Sequence, residues 1–374
     1  MTIGDLIYWL TVSTGIIWAI VTIALSIGLR LLKTVKDIAK PTVSVLIAAR
    51  NEEDNIGNCL EALSKQDYPV HMRVILVIDD NSTDDTWKIA NGFIGNIPGL
   101  KVIKAGKPAG NIAPKKNALI TGIDATAGDV IITTDADCTP PTGWISSIAG
   151  LFEPDVQAVV GFSPLKGHGI AGAISRFDSL VNAVISAGAL GLGKAASAVG
   201  RNFAYRRSAY DDAGGFGSSA IGASGDDDLL LQRIASKGGK IIFATDPNSF
   251  VPARGKDTIV DWLRMKRRHF SAGKRYSTDL IILGTLLYLF NPVLIASTIL
   301  SIVGILDPVV IAAIWGAKLS VDGLALSRGA RLFHTQSWII PWIFAELISP
   351  FLLTVLIPAS QIGKIRWKGR KLKK

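Results

Sequence analysis

Val43-Ser-Val-Leu-Ile-Ala-Ala49 is an apolar run of strand length; a helical pattern follows over residues 55–64, and then a second run, Val74-Ile-Leu-Val-Ile78. A strand, an amphipathic helix and another strand in that order make the βαβ unit of a parallel sheet. The alternation continues with Val102-Ile103, Val130-Ile-Ile-Thr-Thr134 and residues 156–162, and helices are expected over 84–91, 115–125 and 141–152. Ser82, with Asp85 three residues on, reads as a capping box opening the second helix. The fold class is therefore α/β and Rossmann-like, on a mostly parallel sheet.

In open α/β sheets, ligands bind beyond the carboxyl ends of the strands. Here those ends are acidic. The second run leads into Asp79-Asp80-Asn81-Ser82-Thr83-Asp84 and the fourth into Asp135-Ala136-Asp137. Carboxylates crowded at one edge repel one another unless a cation joins them, and a hard Mg2+ or Mn2+ ion carrying a phosphate ligand suits oxygen donors. A polar loop after a strand is the plainer alternative. Further on, Gly225-Asp226-Asp227-Asp228 precedes Leu229-Leu-Leu-Gln-Arg233, where acids also favour a helix start. Adjacent carboxylates disfavour one another's ionisation, which lifts one toward the range of a general base.

The 374 residues are 49% hydrophobic and only 19% charged, which excludes a disordered or fibrous chain and is too apolar for an ordinary soluble one. Cys59 and Cys138 support neither a disulfide framework nor a zinc site. The net charge of +10 is placed beside apolar runs: Lys33, Lys36 and Lys40 follow one, and Lys364, Arg366, Lys368, Arg370, Lys371, Lys373 and Lys374 follow another. That placement points to anionic lipid and a cytoplasmic orientation, not to nucleic acid. No charge lies between Asp5 and Arg30, so residues 1–32 are expected to be an uncleaved transmembrane anchor with its N-terminus outside; no basic segment precedes it as in a signal peptide. Residues 280–306 and 332–363 read as two more spans, an even number that returns the basic tail to the cytoplasm, while 308–317 is too short to cross. Within 332–363, Glu346 is either a functional carboxylate or a satisfied packing residue. The expected organisation is a cytoplasmic catalytic domain over 33–255, an interfacial amphipathic segment over 256–279, and a C-terminal transmembrane region over 280–374. In the interfacial segment Ile259, Trp262, Leu263 and Met265 alternate with cations. Residues 177–192, apolar but short of a span, are expected to dip into the surface and admit a lipid tail.

Taken in order, Val43-Ser-Val-Leu-Ile-Ala-Ala-Arg-Asn-Glu-Glu53, Val77-Ile-Asp-Asp-Asn-Ser-Thr-Asp84, Lys115-Lys-Asn-Ala-Leu119 and Thr134-Asp-Ala-Asp-Cys138 resemble the family 2 glycosyltransferases, which use a GT-A fold. Val199-Gly-Arg-Asn-Phe-Ala-Tyr-Arg-Arg207, Gly214-Gly-Phe-Gly217 and Gly225-Asp-Asp-Asp-Leu229 extend the resemblance over residues 41–276, and the apolar frame is similar to the membrane-bound branch of the family. The resemblance implies that Ala48, Glu52 and Asp80 line the nucleoside pocket, with Asp79 and Asp84 as other candidates. It also implies that Lys115 lies near the donor, behind a Pro114 where glycine is common, and that Asp135 and Asp137 contact the sugar diphosphate and its metal. Aligning Asp-Leu with Asp228-Leu229 makes Asp226 the catalytic base; counting along the acidic run permits Asp227. Where the family carries Gln-x-x-Arg-Trp this chain has Lys266-Arg267-Arg268-His269-Phe270, a departure that argues against a processive polymerase and leaves Arg267, Arg268 and His269 for the diphosphate or acceptor. The expected activity is inverting, Mg2+- or Mn2+-dependent transfer of one sugar from a nucleotide-sugar to a lipid or lipid-linked hydroxyl at the cytoplasmic membrane face. A polysaccharide synthase subunit and a non-catalytic nucleotide-sugar-binding membrane protein are the alternatives.

Overall fold

The computed structural model describes residues 2–32, 40–108, 110–221, 224–336, 338–363, 365–367 and 370–372. Lys33, Lys36, Lys364, Lys368, Lys373 and Lys374 of the basic clusters lie outside the described residues.

A long apolar helix, α1 (Ile3–Leu31), precedes the alternating block. In that block β1 (Val43–Ala49), α2 (Ile56–Ser64), β2 (Arg73–Asp79), α3 (Thr86–Gly92), β3 (Leu100–Lys104), α4 (Pro114–Asp124), β4 (Val130–Asp135), α5 (Trp144–Ala149) and β5 (Val156–Gly161) fall where the apolar periodicity predicts them. After the short β6 (Leu165–Lys166) and α6 (Gly169–Gly191), the chain returns to the sheet. There follow β7 (Phe203–Arg206), α7 (Arg207–Asp212), α8 (Asp228–Ser236), β8 (Lys240–Ala244) and β9 (Ala253–Arg254). The seven-stranded sheet has the order β3-β2-β1-β4-β7-β5-β8. β7 runs antiparallel to both β4 and β5, and the other pairings are parallel.

Both faces of this sheet are covered, which is why its central strands read as continuous apolar runs. Val45, Ile47, Ile75, Val77 and Ile132 face Cys59, Leu60 and Leu63 of α2 and Trp144 and Ile148 of α5. Leu46, Leu76, Ile78 and Ile131 face the other way, toward Leu119 and Ile123 of α4, Leu180 and Val184 of α6 and Leu230 of α8. The strand order reverses between β1 and β4, so a crevice is expected beyond the carboxyl ends of those two strands.

The capping box expected at Ser82 does not form. Asp85 is the residue before α3 and makes no side-chain cap. Ser82 instead donates its N–H to the Asp79 carboxylate and accepts at Oγ from the Asn51 N–H, because the loop folds back onto the end of β1.

Beyond the sheet come α9 (Ile259–Phe270), α10 (Thr278–Ile302), α11 (Pro308–Leu332), α12 (Ile339–Ser360) and a hairpin of β10 (Ile365–Trp367) and β11 (Arg370–Leu372). By length and composition α1, α10, α11 and α12 can each cross a membrane. The expectation that 308–317 is too short is thus corrected: it opens the continuous helix α11. Charges that truncate this span in sequence are hidden inside the bundle. Lys318 Nζ lies 2.8 Å from Asp322 Oδ2 and also pairs with Glu346 of α12. Trp18 Nε1 donates to Asp322 at 2.8 Å and Trp342 Nε1 to Glu346 at 3.2 Å, so Glu346 is a satisfied packing residue.

Three long apolar C-terminal helices, and not two, still leave the tail beside the sheet unit. Phe333, just before α12, packs on Phe162 with ring centroids 4.7 Å apart, while Gln361, just after it, donates to the Phe270 carbonyl of α9 at 3.0 Å. The start of α12 is thus tied to the sheet and its end to α9, and Pro350 and Pro358 lie within it, where helices bend.

α6 begins earlier than the apolar run expected over 177–192, and protein occupies much of its surface. A Cβ on Gly28 of α1 would come within 1.9 Å of the Gly188 carbonyl oxygen, and one on Gly191 within 1.9 Å of that of Gly28. Only glycines allow this backbone contact, the small-residue packing of membrane helices.

Candidate active site

Parallel pairing sets Ala48 of β1 level with Asp135 of β4 and Ala49 level with Asp79 of β2. The two acidic strand ends therefore flank β1, and Asp80 and Asp135 sit two strand spacings, roughly 10 Å, apart. Asp80 is fixed by its N–H to the Ala49 carbonyl at 2.8 Å. Arg50 braces the same corner by donating to the Asp80 and Asn81 carbonyls at 2.5 and 2.8 Å. Glu52 lies at the head of α2, where its carboxylate accepts from Asn55 Nδ2 at 2.8 Å and its N–H donates to Thr86 Oγ1.

Lys115, in the first turn of α4, joins the two acidic clusters. Its Nζ is 3.0 Å from Asp135 Oδ1 and 2.8 Å from Asp226 Oδ2. Burial works against an ammonium here, but Asp135, Asp226 and Asp227 outweigh it and hold Lys115 charged well above its ordinary range. The three residues line a small cavity with Leu119, Thr133, Thr134, Gly200, Phe203 and Tyr205.

The Asp226–Asp228 trio divides by partner. Asp228 accepts from Ser197 Oγ, the Ala198 N–H and Tyr276 Oη, the last at 2.5 Å, and burial raises its pKa. Asp227 accepts from the Gly200 N–H at 2.7 Å and from the first N–H of α8; burial, Asp228 and Asp226 push it up to about 7. Asp226 alone of the three lines the cavity. Burial opposes its charge, yet Lys115, then Lys116, hold it well below the usual carboxylate range. Gly225, at φ +84°, makes the turn that aims the trio, a conformation costly for other residues. Lys116, fully buried, braces the preceding loop by donating to the Ser219 and Ser224 carbonyls at 2.5 and 2.9 Å; burial pushes it down to about 8.

Asp137 is raised by burial and then by Asp135 and Glu52, with Arg201 and Lys256 acting the other way. Two carboxylates crowded enough to suppress ionisation are a donor set that a hard cation relieves. Among the described residues no group of three or more His, Cys, Asp or Glu is arranged to hold a metal. Asp135 and Asp137 are two oxygen donors of the kind a hard cation takes together with phosphate oxygens.

On α9 the cations separate. Arg267 turns to the end of α12, donating to the Ala359 and Ile362 carbonyls at 3.2 and 2.6 Å. Lys266 pairs with Asp178 of α6 at 2.7 Å. Arg268 stands 3.1 Å from His269 Nε2, and burial, with Arg268 next, holds His269 well below its ordinary pKa and hence neutral. The Arg201 charge acts on both Asp137 and His269, and its Nε donates to Ser163 Oγ at 2.9 Å. No role was expected for Arg201, Tyr276 or Arg370. The first lies in the Val199–Arg207 motif and was in principle findable; Tyr276 and Arg370 carry no local signal.

The Glycosyl transferase family 2 model matches residues 44–214, and the Glycosyl transferase family group 2 model matches 130–357, more than half of the chain. Glycosyltransferase AglE of Haloferax volcanii is 31% identical over 218 residues, 57% of this chain and 68% of its own. Beta-monoglucosyldiacylglycerol synthase of Synechocystis sp. is 34% identical over 158 residues, 39% of this chain and 32% of its own. The chain thus spans about a third of that synthase's length. Mannosyltransferase PcManGT from Pyrobaculum calidifontis, solved in complex with GDP-Man and Mn2+, superposes with a TM-score of 0.60 at 21% identity, covering 93% of this chain and 99% of its own.

Proposed function

Because the chain belongs to glycosyl transferase family 2, with a GT-A sheet and long apolar helices on both sides of it, we propose that it moves one sugar, with inversion, from a nucleotide-sugar to a lipid or lipid-linked hydroxyl at the cytoplasmic membrane face. The observation that carries this reading is Lys115, which holds Asp135 and Asp226, distant in sequence, to one ammonium. The catalytic unit over 33–255 faces the cytoplasm in this reading, in keeping with the basic clusters after α1 and at the tail.

The chemistry follows from these groups. The nucleoside end lies toward Glu52 and Asp80, and the diphosphate toward Asp135 and Asp137. These two carboxylates would hold Mg2+ or Mn2+, which when bound supplies charge neutralisation for the leaving diphosphate. Lys115 is drawn from Asp226 toward the incoming phosphates. Losing that partner, Asp226 rises from its depressed state toward the range in which it takes a proton. The acceptor oxygen attacks the anomeric carbon, its proton passes to Asp226, and the carbon–oxygen bond to the diphosphate breaks, inverting the centre. Arg201 and Arg268, beside a neutral His269, add positive charge at the crevice mouth. The Lys266-Arg267-Arg268-His269-Phe270 sequence favours single transfer over polymerisation.

Purified protein, given a panel of nucleotide-sugars and extracted lipids, is expected to release nucleoside diphosphate with Mg2+ or Mn2+ and to stop when the ion is chelated. Turnover unaffected by chelation, or by Asp137→Ala, would remove the mechanism.

A further inference from the structure

Tyr205 of β7 lies on the wall of the cavity that holds Lys115, Asp135 and Asp226. Antiparallel pairing sets it level with Ile131 of β4 and Ala158 of β5, on the sheet face that α4 and α8 cover. The residue is 1% exposed, and its ring is gripped by Phe203, with centroids 5.2 Å apart, and by Tyr210, stacked at 5.8 Å. A ring held on two sides leaves its hydroxyl one direction. Yet among the described residues Tyr205 Oη, fully buried, has no hydrogen-bond partner. The Thr133 hydroxyl, on the same wall, is engaged by the Gly200 and Phe203 carbonyls at 2.9 and 3.1 Å.

Burying a hydroxyl without a partner is costly, and phenylalanine would fill the same space without that cost. Burial, then Tyr210 and Asp226, push the phenol well above its ordinary range, so it stays protonated, a donor on the same cavity as an anionic carboxylate. The cavity has about 10 Å³ of space, the room of one water. Such a water would meet Tyr205 Oη, Asp226 and Lys115, the several polar partners that a buried water needs.

We propose that Tyr205 is a positioning residue for Asp226, acting through a single water bound in this cavity between the phenol and the carboxylate. The inference rests on the glycosyltransferase reading above and on Asp226 as its base. In the free protein Lys115 Nζ, 2.8 Å from Asp226 Oδ2, fixes the carboxylate. When donor phosphates draw that ammonium away, the neighbouring Asp227 and Asp228 disfavour the charge left on Asp226. The bridged phenol then replaces the lost cation with a neutral donor. It keeps Asp226 ionised and aimed, yet leaves it more basic than an ammonium does, because a neutral hydrogen bond stabilises the charged form less than an ion pair. Tyr205 keeps its own proton throughout, and the acceptor's proton goes to Asp226.

The test uses the full chain in detergent with Mn2+, extracted lipids and UDP-glucose, UDP-galactose, UDP-N-acetylglucosamine or GDP-mannose, scored by nucleoside diphosphate release. Tyr205→Phe keeps the ring and its packing and removes only the hydroxyl, so the variant should fold and melt no lower than wild type. Its kcat is expected to fall about ten-fold, the scale of one hydrogen bond to a charged group, with KM within about two-fold. The acid limb of kcat, which reports the base in the donor complex, should move up by roughly one pH unit, as a carboxylate that has lost a donor is protonated more easily. Placed on Asp226→Asn, the same change should slow turnover by less than about two-fold, because the base through which it acts is gone. Unchanged kcat and an unmoved limb overturn the proposal and leave the hydroxyl idle. A rise in KM alone overturns it by assigning Tyr205 to donor binding, and so does a loss that persists in full on Asp226→Asn, by placing its effect elsewhere. A wild type that releases no nucleoside diphosphate from any of the four donors overturns the glycosyltransferase reading, and this inference with it.

Discussion

One lysine between two carboxylates occurs both in the helix bundle and in the crevice, and the surroundings give these two constellations opposite characters. In the bundle, Lys318 holds Asp322 and Glu346, and each carboxylate is closed off by an indole, Trp18 on one and Trp342 on the other. In the crevice, Lys115 holds Asp135 and Asp226 against a cavity, with Asp227, Asp228 and Asp137 close by. A sealed ion triad is a lock between helices. An open one, short of positive charge, suits a cation and the phosphate that comes with it. What separates them is the neighbouring groups and not the ion pairing itself.

Replacing the two lysines breaks the comparison most strongly. Lys318→Met leaves two buried carboxylates without their cation and should cost about 3–5 kcal/mol, seen as loss of folded protein or a steep fall in Tm in detergent. Lys115→Met should leave the protein folded but lower turnover about 100-fold, the scale of losing one preorganised charge at a developing anion. Equal damage to stability from both would erase the distinction.

The pH dependence sharpens it. Asp227 is raised to about 7 in the folded chain, against an unfolded value of about 3.9. Its contribution to stability is therefore full below about pH 4 and is lost as pH rises through about 7. Asp227→Asn should flatten that part of the Tm-against-pH curve. Since Asp226 is held low in the free protein, kcat/KM should show no acid limb at pH 7 belonging to it. A limb there that vanishes in Asp227→Asn would make Asp227 the base. The smallest effect is expected for Trp18→Phe, which removes one donor from Asp322 and should lower stability by about 1 kcal/mol without changing turnover.

Much of the fold was legible because central strands buried on both faces read as apolar runs; β1 begins and ends where its run does. β7 was not, since Phe203-Ala-Tyr-Arg206 is four residues without a β-branched side chain, inserted antiparallel between β4 and β5 after an excursion through α6. α11 was cut short because Lys318 and Asp322 look like the end of a span until their partners, supplied by α1 and α12, are known. Strand order placed Asp135 at the crevice, and the family resemblance placed Lys115 and Asp226 beside it. It left the choice within the trio open, because that depends on which backbone N–H groups occupy Asp227 and Asp228. The ion pair of Arg370 with Asp80 has no local signature at all, since a basic tail suggests lipid.

The most direct test is Asp226→Asn in a single-turnover reaction with Mn2+, a nucleotide-sugar that the wild type uses and its lipid acceptor, scored for nucleoside diphosphate and for new glycolipid by mass spectrometry. With Asp226 as the base, the variant should bind nucleotide as wild type does and form product about 10²–10⁴-fold more slowly. Product formed at the wild-type rate would contradict the assignment of Asp226 and the role given to the crevice that Lys115 closes.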